Sequence, residues 1–307
     1  MKYRKQHINH YWRDGTDEEK SSLRILKNIA FYLDDPKVHA ETCDYPLKGF
    51  SALSLSISPE EVMIIFRSLF PPQDHTEERK EIHYWLDASF LLISPHIYGE
   101  RNGETFRISN GSFLNAYIMG LGKIDEQYNI LWKRFNEAEH VCDNQLERII
   151  SRSDVTILPE IASELTKRTE WNARKMDRVC NSYKKILERR RETRERFLRK
   201  MEERIRTDST FDKIREISLN DSITQCKKVA EEHGINTSEV DNKLIAYALA
   251  NAAIQRGQPQ IVITGDFGIA DLVNVMGYKN NGIAFSVHDE YYKPFKIHSL
   301  QIEAICT

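Results

Sequence analysis

The chain has 307 residues, 40% hydrophobic and 29% charged, enough for one large domain or two ordinary ones with a buried core. Its formal net charge of -2 conceals an asymmetry: Lys167 to Arg206 holds sixteen Lys/Arg against seven Asp/Glu, nine positive charges in excess on a remainder that is eleven negative. Five scattered cysteines without a CxxC pair exclude a zinc ribbon and a disulfide framework, and point to a reducing, cytosolic setting.

The opening residues, MKYRKQHINHYW, lack the apolar core of a signal peptide, and no later run approaches membrane-spanning length. Residues 1–80 read as a small α/β accessory region. Thr16 and Glu19 predict a capping box ahead of a helix with Leu23, Leu26, Ile29 and Leu33 inward. Leu53, Leu55 and Ile57 alternate as in a half-buried strand. Ser58-Pro59-Glu60-Glu61 then starts a helix that buries Val62, Ile65, Phe66 and Leu69 and stops at Pro71-Pro72. The charged run 73–81 is the expected boundary. Ile82 to Leu92 predicts an apolar, aromatic strand that runs into Asp87 and two small residues. Residues 94–122, broken by Gly99, Gly103, Gly111 and Gly120, read as loop and short helix. A helix over about 125–150 places Tyr128, Leu131, Trp132, Phe135, Ala138 and Leu146 on one face. Asp154 to Leu158 reads as a second strand, and Pro159 opens a helix with Ile161 and Leu165 inward. Glu160 and Glu164 lie one turn apart on it.

The basic segment follows. Stripes at Met176, Val179, Tyr183, Ile186 and at Phe197, Met201, Ile205 flank an exposed ERRRETRER run, predicting one long helix or a helical hairpin that projects from the body. Arg174, Lys175, Lys184, Lys185, Arg189, Arg190, Arg191 and Arg194 are its candidate phosphate contacts; a protein partner or a second copy of the chain is the alternative. After a helix near 222–233, residues 238–271 read as helix, tight turn, buried strand and polar loop. Leu244, Ile245, Ala248, Leu249, Ala252 and Ala253 recur at helical spacing, Gly257 and Pro259 punctuate, and Ile261 to Thr264 is a β-branched run. A short helix after Asp271, a strand from Ile283 to Val287, the YYKPF segment and a strand from Ile302 to Cys306 close the chain. Strands alternating with helices predict an α/β fold with a central, mainly parallel sheet flanked by helices.

Asp87 and Asp266 end strands, while Glu164 and Asp241 occupy early helix turns. Four carboxylates at one sheet edge repel each other unless a cation is present, and oxygen donors suit Mg²⁺ or Mn²⁺. Such ions activate a water and stabilise a departing oxygen, so the chemistry implied is phosphodiester hydrolysis. Each acid also has a structural reading. Asp241 fits a capping box with Ser238, Asp266 a turn residue in TGDFG, Glu164 a surface pair with Arg168, and Asp87 a cap after its strand. No GxxxxGK[ST], HExxH or GxSxG pattern is present.

These stretches resemble the PIN-domain nucleases. YWLDASFLL is similar to that family's opening strand, with its first metal-binding aspartate at Asp87, and VTILPEIASEL to its second strand and helix, with the glutamate at Glu164. SEVDNKLIAYAL resembles the helix carrying the third acid, Asp241. IVITGDFGIADL resembles the strand ending in Thr-x-Asp, giving Asp266, with Asp271 as a fifth acid. The resemblance covers about residues 81–290. It implies a PIN-like domain over 81–307 with helical insertions at about 95–150 and 167–210. It also implies a Mg²⁺- or Mn²⁺-dependent nuclease, acting on RNA ahead of DNA, whose catalytic metal ligands are Asp87, Glu164, Asp241 and Asp266. Asp271 would assist, Thr264 would position an acid or a water, and Glu160 would support from one turn away. A structure-specific DNase and a PIN-like scaffold that binds protein through the basic helix are the alternatives. A cognate inhibitor protein is a further partner that such a nuclease suggests.

Overall fold

Short β-branched and aromatic runs, bounded by Pro, Gly or Asp, become the strands of two sheets, and longer runs of 3.6-residue period become the helices around them. The computed structural model describes residues 52–71, 82–108, 126–166, 181–214, 219–255, 258–277, 283–292 and 295–304. Within these, the side chains of 181–187, 189–191, 212–213, 283–292 and 303–304 are not described. The expected helix around Leu23 to Leu33, the boundary run 73–81, Gly111, Gly120, Met176 and Val179 lie outside the described residues.

In chain order the elements are β1 (Ala52–Leu55), α1 (Pro59–Leu69), β2 (His83–Leu86), α2 (Ala88–Leu91), β3 (Ile97–Arg101), β4 (Glu104–Ile108) and α3 (Glu126–Ile150). Then come β5 (Val155–Thr156) and a helix α4 over 159–166. They are followed by α5 (Asn181–Thr207), α6 (Thr210–Ile214), α7 (Leu219–Glu232), α8 (Glu239–Ile254), β6 (Gln260–Thr264), α9 (Phe267–Gly277), β7 (Ile283–Tyr292) and β8 (Ile297–Ala304). The fold is α/β. No helix among the described residues is long and apolar enough to cross a membrane.

The chain divides into two compact units, neither of them continuous: residues 1–59, 95–139 and 169–193 in one, residues 60–94, 140–168 and 194–307 in the other. The first holds an antiparallel sheet of order β1-β3-β4. Here the structure corrects the expectation of loop and short helix after Ser94, because Ile97–Arg101 and Glu104–Ile108 form a β-hairpin. Asn102 and Gly103 sit at φ 53 and 78, the two left-handed positions that a type I′ turn needs.

The second unit holds a five-stranded sheet of order β5-β2-β6-β8-β7. β5, β2 and β6 run parallel, with Tyr84 opposite Val155 and Ile261, whereas β8 runs antiparallel to both β6 and β7. The sheet is therefore mixed. Helices carry the chain between its parallel strands, but only a few residues separate β7 from β8, and so short a link permits only an antiparallel pair. The last strand starts at Ile297, five residues before the expected Ile302.

Tyr84, Trp85, Leu86, Val262 and Ile263 are buried at this sheet's centre, and α8 covers it with Leu244, Ile245, Ala248 and Ala252, while Ala253 faces solvent. Gln260 locks the layers together. Its Oε1 accepts from Trp85 Nε1 (2.9 Å) and Asn251 Nδ2 (2.8 Å), and its own amide donates to the Gln258 carbonyl (3.1 Å). A buried amide satisfied on both sides fixes register without leaving an orphaned dipole.

The basic segment forms one helix of 27 residues over its described part. Its C-terminal half does not project; from Arg194 on it belongs to the second unit. Phe197, Leu198 and Met201 are buried there. Arg196, Lys200 and Arg204 recur every four residues and so share a face. Arg196 and Lys200 bind Glu147 (2.9 and 2.5 Å), and Arg204 donates to the carbonyls of Arg152, Ser153 and Val155 (3.1, 3.0 and 2.8 Å). Arg204 also pairs with Asp208 at 3.5 Å, whose carboxylate accepts from Thr156 Oγ1 (2.6 Å) and Thr210 N (2.9 Å).

Replacing Arg204 by Met would strip these carbonyls of a donor and leave the buried Asp208 without its cation. The expected loss is about 3 kcal/mol, measured as a lowered urea midpoint. Arg206→Met, at the exposed helix end, should stay within about 0.5 kcal/mol of the wild type.

Candidate functional site

Because β2 and β6 are adjacent and parallel, their carboxyl ends meet at one sheet edge, the edge at which open α/β sheets place their ligands. Asp87 follows β2 directly, and its backbone N–H extends the ladder to the Ile263 carbonyl (3.1 Å). The residue is only 5% exposed. Its side chain caps α2: Oδ1 accepts from Ala88 N (2.7 Å), while Oδ2 accepts from Ser89 N (3.2 Å), Thr264 Oγ1 (2.9 Å) and the Ser89 hydroxyl. Four donors around one carboxylate offset the cost of taking it out of water.

The two hydroxyls work in both directions. Thr264 Oγ1 donates to Asp87 and accepts from Asp266 N (2.9 Å), and Ser89 Oγ donates to Asp87 and accepts from Gly265 N (2.6 Å). The turn after β6 is thereby stitched to the end of β2. Ser89 was not among the residues singled out in the sequence. Its only signal there is its place as the second small residue after Asp87.

Asp266 is exposed and caps α9, its Oδ1 accepting from Gly268 N (2.7 Å) and its carbonyl from Ala270 N (3.3 Å). The stretch expected as polar loop up to Asp271 is thus helix from Phe267, and Asp271 lies exposed in its second turn. Asp241 forms the capping box that its spacing from Ser238 suggests. Ser238 N donates to Asp241 Oδ2 (2.6 Å), and Asp241 N donates to Ser238 Oγ (3.2 Å). Burial raises the Asp241 pKa above the ordinary aspartate value, and the charges of Asp87 and Asp266 raise it further against the opposing Ser238 hydrogen bonds. The capping role and the shared field hold at once. Two aspartates at strand ends act on a third at a helix start.

Gly268 permits this proximity. A Cβ there would run into the backbone carbonyl of Asn236, in the loop that leads to Ser238. A bare Cα brings the start of α9 against the approach to α8, and with it Asp266 towards Asp241.

The glutamates are carried by a different helix. α4 follows β5, the other parallel neighbour of β2. Glu160 pairs with Lys243 of α8 (3.3 Å), which also holds Glu239 (2.9 Å). Glu164 is partly exposed one turn later, and its alternative partner Arg168 lies outside the described residues. Among the described residues, no three His, Cys, Asp or Glu side chains are gathered closely enough to hold a metal ion as they stand. Asp241 and Asp266 each turn one oxygen back to their own helix N-terminus. The donor types still suit a hard divalent cation, and mutual repulsion of the kind that burdens Asp241 is what such a cation relieves.

Of the basic candidates, Arg194 donates to the Leu91 carbonyl (3.4 Å) and lies over the Phe197 ring at 5.5 Å. Lys184, Lys185, Arg189, Arg190 and Arg191 are on α5 with undescribed side chains, and Arg174 and Lys175 lie outside the described residues. No family model matches the chain, and no curated protein or solved structure is detectably similar to it.

The raised Asp241 pKa fixes the sign of one pH effect. Above about pH 4 the unfolded chain ionises this group freely, whereas the folded chain must carry the charge in a half-buried, like-charged setting. Its contribution is therefore most favourable in acid and is lost as pH rises through the folded pKa. Asp241→Asn keeps an oxygen for Ser238 N, so relative to wild type it should be more stable at pH 7 than at pH 4 in paired urea titrations. At Gly268, an added methyl must displace α9 from Asn236. Gly268→Ala should cost roughly 1–3 kcal/mol in thermal denaturation.

Proposed function

We propose that this chain is a metal-dependent nuclease of PIN type, an endoribonuclease acting in the cytoplasm. The observation that carries the reading is the joining of Asp87 and the Asp266 turn through Thr264 at the carboxyl edge of the parallel pair β2–β6, with Asp241 near enough for both charges to raise its pKa. Each of the three parallel strands also leads into a helix that begins with an acid at or near its start: Asp87 before α2, Glu160 and Glu164 in α4, Asp266 before α9. That regularity supports the PIN-like arrangement.

Asp87, Asp241 and Asp266 would hold Mg²⁺ or Mn²⁺, with Glu164 and Asp271 as outer acids. When bound, such an ion supplies an activated water and stabilises charge on the departing oxygen of a phosphodiester. The chain's own part is to hold the acids still. Ser89 and Thr264 fix the Asp87 carboxylate, and the Ser238 box fixes the helix turn that presents Asp241. Glu160 braces α4 against α8 through Lys243. Basic residues of α5 before Arg194 would follow the phosphate backbone, giving salt-sensitive binding without base preference.

One observation favours a second reading, a PIN-like scaffold that engages a protein or a second copy through α5. Asp87, Asp241 and Asp266 each serve a helix N-terminus, and as placed no three described donors close on one point. The two readings separate on labelled single-stranded RNA and DNA incubated with Mn²⁺ or EDTA. RNA should be cut only with Mn²⁺, and Asp87→Asn and Asp266→Asn should each reduce the rate by on the order of 100-fold or more. Faster cutting of DNA would move the substrate class. No cutting, together with no rise in the thermal midpoint on adding Mn²⁺, would select the scaffold.

A further inference from the structure

Phe267 is 55% exposed. Scattered exposed apolar residues are ordinary, and by exposure alone this one asks for no explanation. Its surroundings distinguish it. It follows Asp266 directly, about 3.8 Å away along the chain by Cα spacing. It stands at the start of a helix whose inward face is Ile269, Ala270, Leu272, Val273 and Met276, so its ring takes no part in that core. Asp271, four residues on, shares its face of the helix and is also exposed.

The ring is braced as well as exposed. His298 meets it in a T-shaped contact, with centroids 5.0 Å apart and planes at 74°. His298 is itself buried and sits in register opposite Thr264, the residue whose hydroxyl holds Asp87. One aromatic surface is thus tied, through a single strand pairing, to the network that fixes the first aspartate.

We propose that Phe267 is a stacking platform for a nucleobase next to the phosphate engaged by the aspartates, and that the substrate class is therefore single-stranded or unpaired nucleic acid. This deepens the nuclease reading and rests on it. A phenyl ring offers a π-face and no hydrogen-bonding group, so it accepts any base and reads none. A base already stacked in a duplex cannot use it. The same geometry makes sequence tolerance the expected behaviour at this position.

The test measures binding and cutting separately, on the full chain. Binding is followed by fluorescence anisotropy in Ca²⁺ with a labelled single strand, an abasic oligomer with the same number of phosphates, and a blunt duplex. Wild type should prefer the base-bearing strand to the abasic one. Phe267→Leu keeps apolar bulk but no π-face; it should bind the base-bearing strand about 5- to 150-fold more weakly, lose the preference and melt at the same temperature, while Phe267→Tyr restores both affinity and preference. Retention of the base preference by Phe267→Leu would overturn the platform. Cleavage with Mn²⁺, run in parallel, keeps the two proposals distinguishable. Metal-dependent cutting by wild type with an unchanged KM in Phe267→Leu removes the platform and leaves the nuclease. Base-preferring binding that Phe267→Leu abolishes, with no cutting by wild type, supports the platform and removes the nuclease. Neither binding nor cutting by wild type removes both.

Discussion

A carboxylate buried at the end of β2 is the constraint on which the rest of this site depends. Asp87 is almost wholly withdrawn from water, and a charge so placed is tolerated only when donors surround it. Two of the four are backbone amides of the helix it caps, which a local turn supplies at no long-range cost. The other two are hydroxyls whose lone pairs are taken by the amides of Gly265 and Asp266. Satisfying the charge therefore dictates the path of the chain after β6. The second aspartate is where it is because the first must be solvated by something other than water.

The same residues cap helices and share a field, and physical chemistry makes these roles compatible. A helix N-terminus presents unpaired amides and a partial positive charge, so an acid there is favourable even beside other acids. Helix N-termini at Asp87, Asp241 and Asp266 offset part of the repulsion among the three aspartates. At Asp241 burial, with a further contribution from the other two charges, raises the proton affinity. The capping box gives the Asp241 carboxylate a structural role whatever else it does.

Most of the site's local chemistry was legible in the sequence, because caps, helical periods and β-branched runs are written in neighbouring residues. Asp87 at a strand end, Asp241 three residues after Ser238, and Thr264 and Asp266 after an Ile-Val-Ile run all fall where local rules put them. Reading Asp266 to Asp271 as a loop failed because an Asp between two nearby glycines, Gly265 and Gly268, signals both a turn and a helix cap, and the packing of Gly268 on Asn236 favours the cap. The β3–β4 hairpin was obscured by a strand whose outer residues are nearly all polar and exposed, although Asn102-Gly103 marked its turn. The docking of α5 was illegible for another reason. Arg196 and Lys200 find Glu147 some fifty positions away, and no local pattern announces such a partner. The antiparallel half of the sheet belongs to the same class, being set by which strand meets β6 rather than by what any strand contains.

The bond from Thr264 to Asp87 spans 177 positions of the chain. During synthesis the first aspartate therefore leaves the ribosome long before the hydroxyl that steadies it, and for that interval β2 has no β6 beside it. A chain that stalls or is clipped ahead of residue 260 carries Asp87, Glu164 and Asp241 but neither Asp266 nor the strand that would hold them in line. Partial products of this sequence therefore lack the joined ends of β2 and β6, and the acidic edge is assembled only when nearly the whole polypeptide has been made.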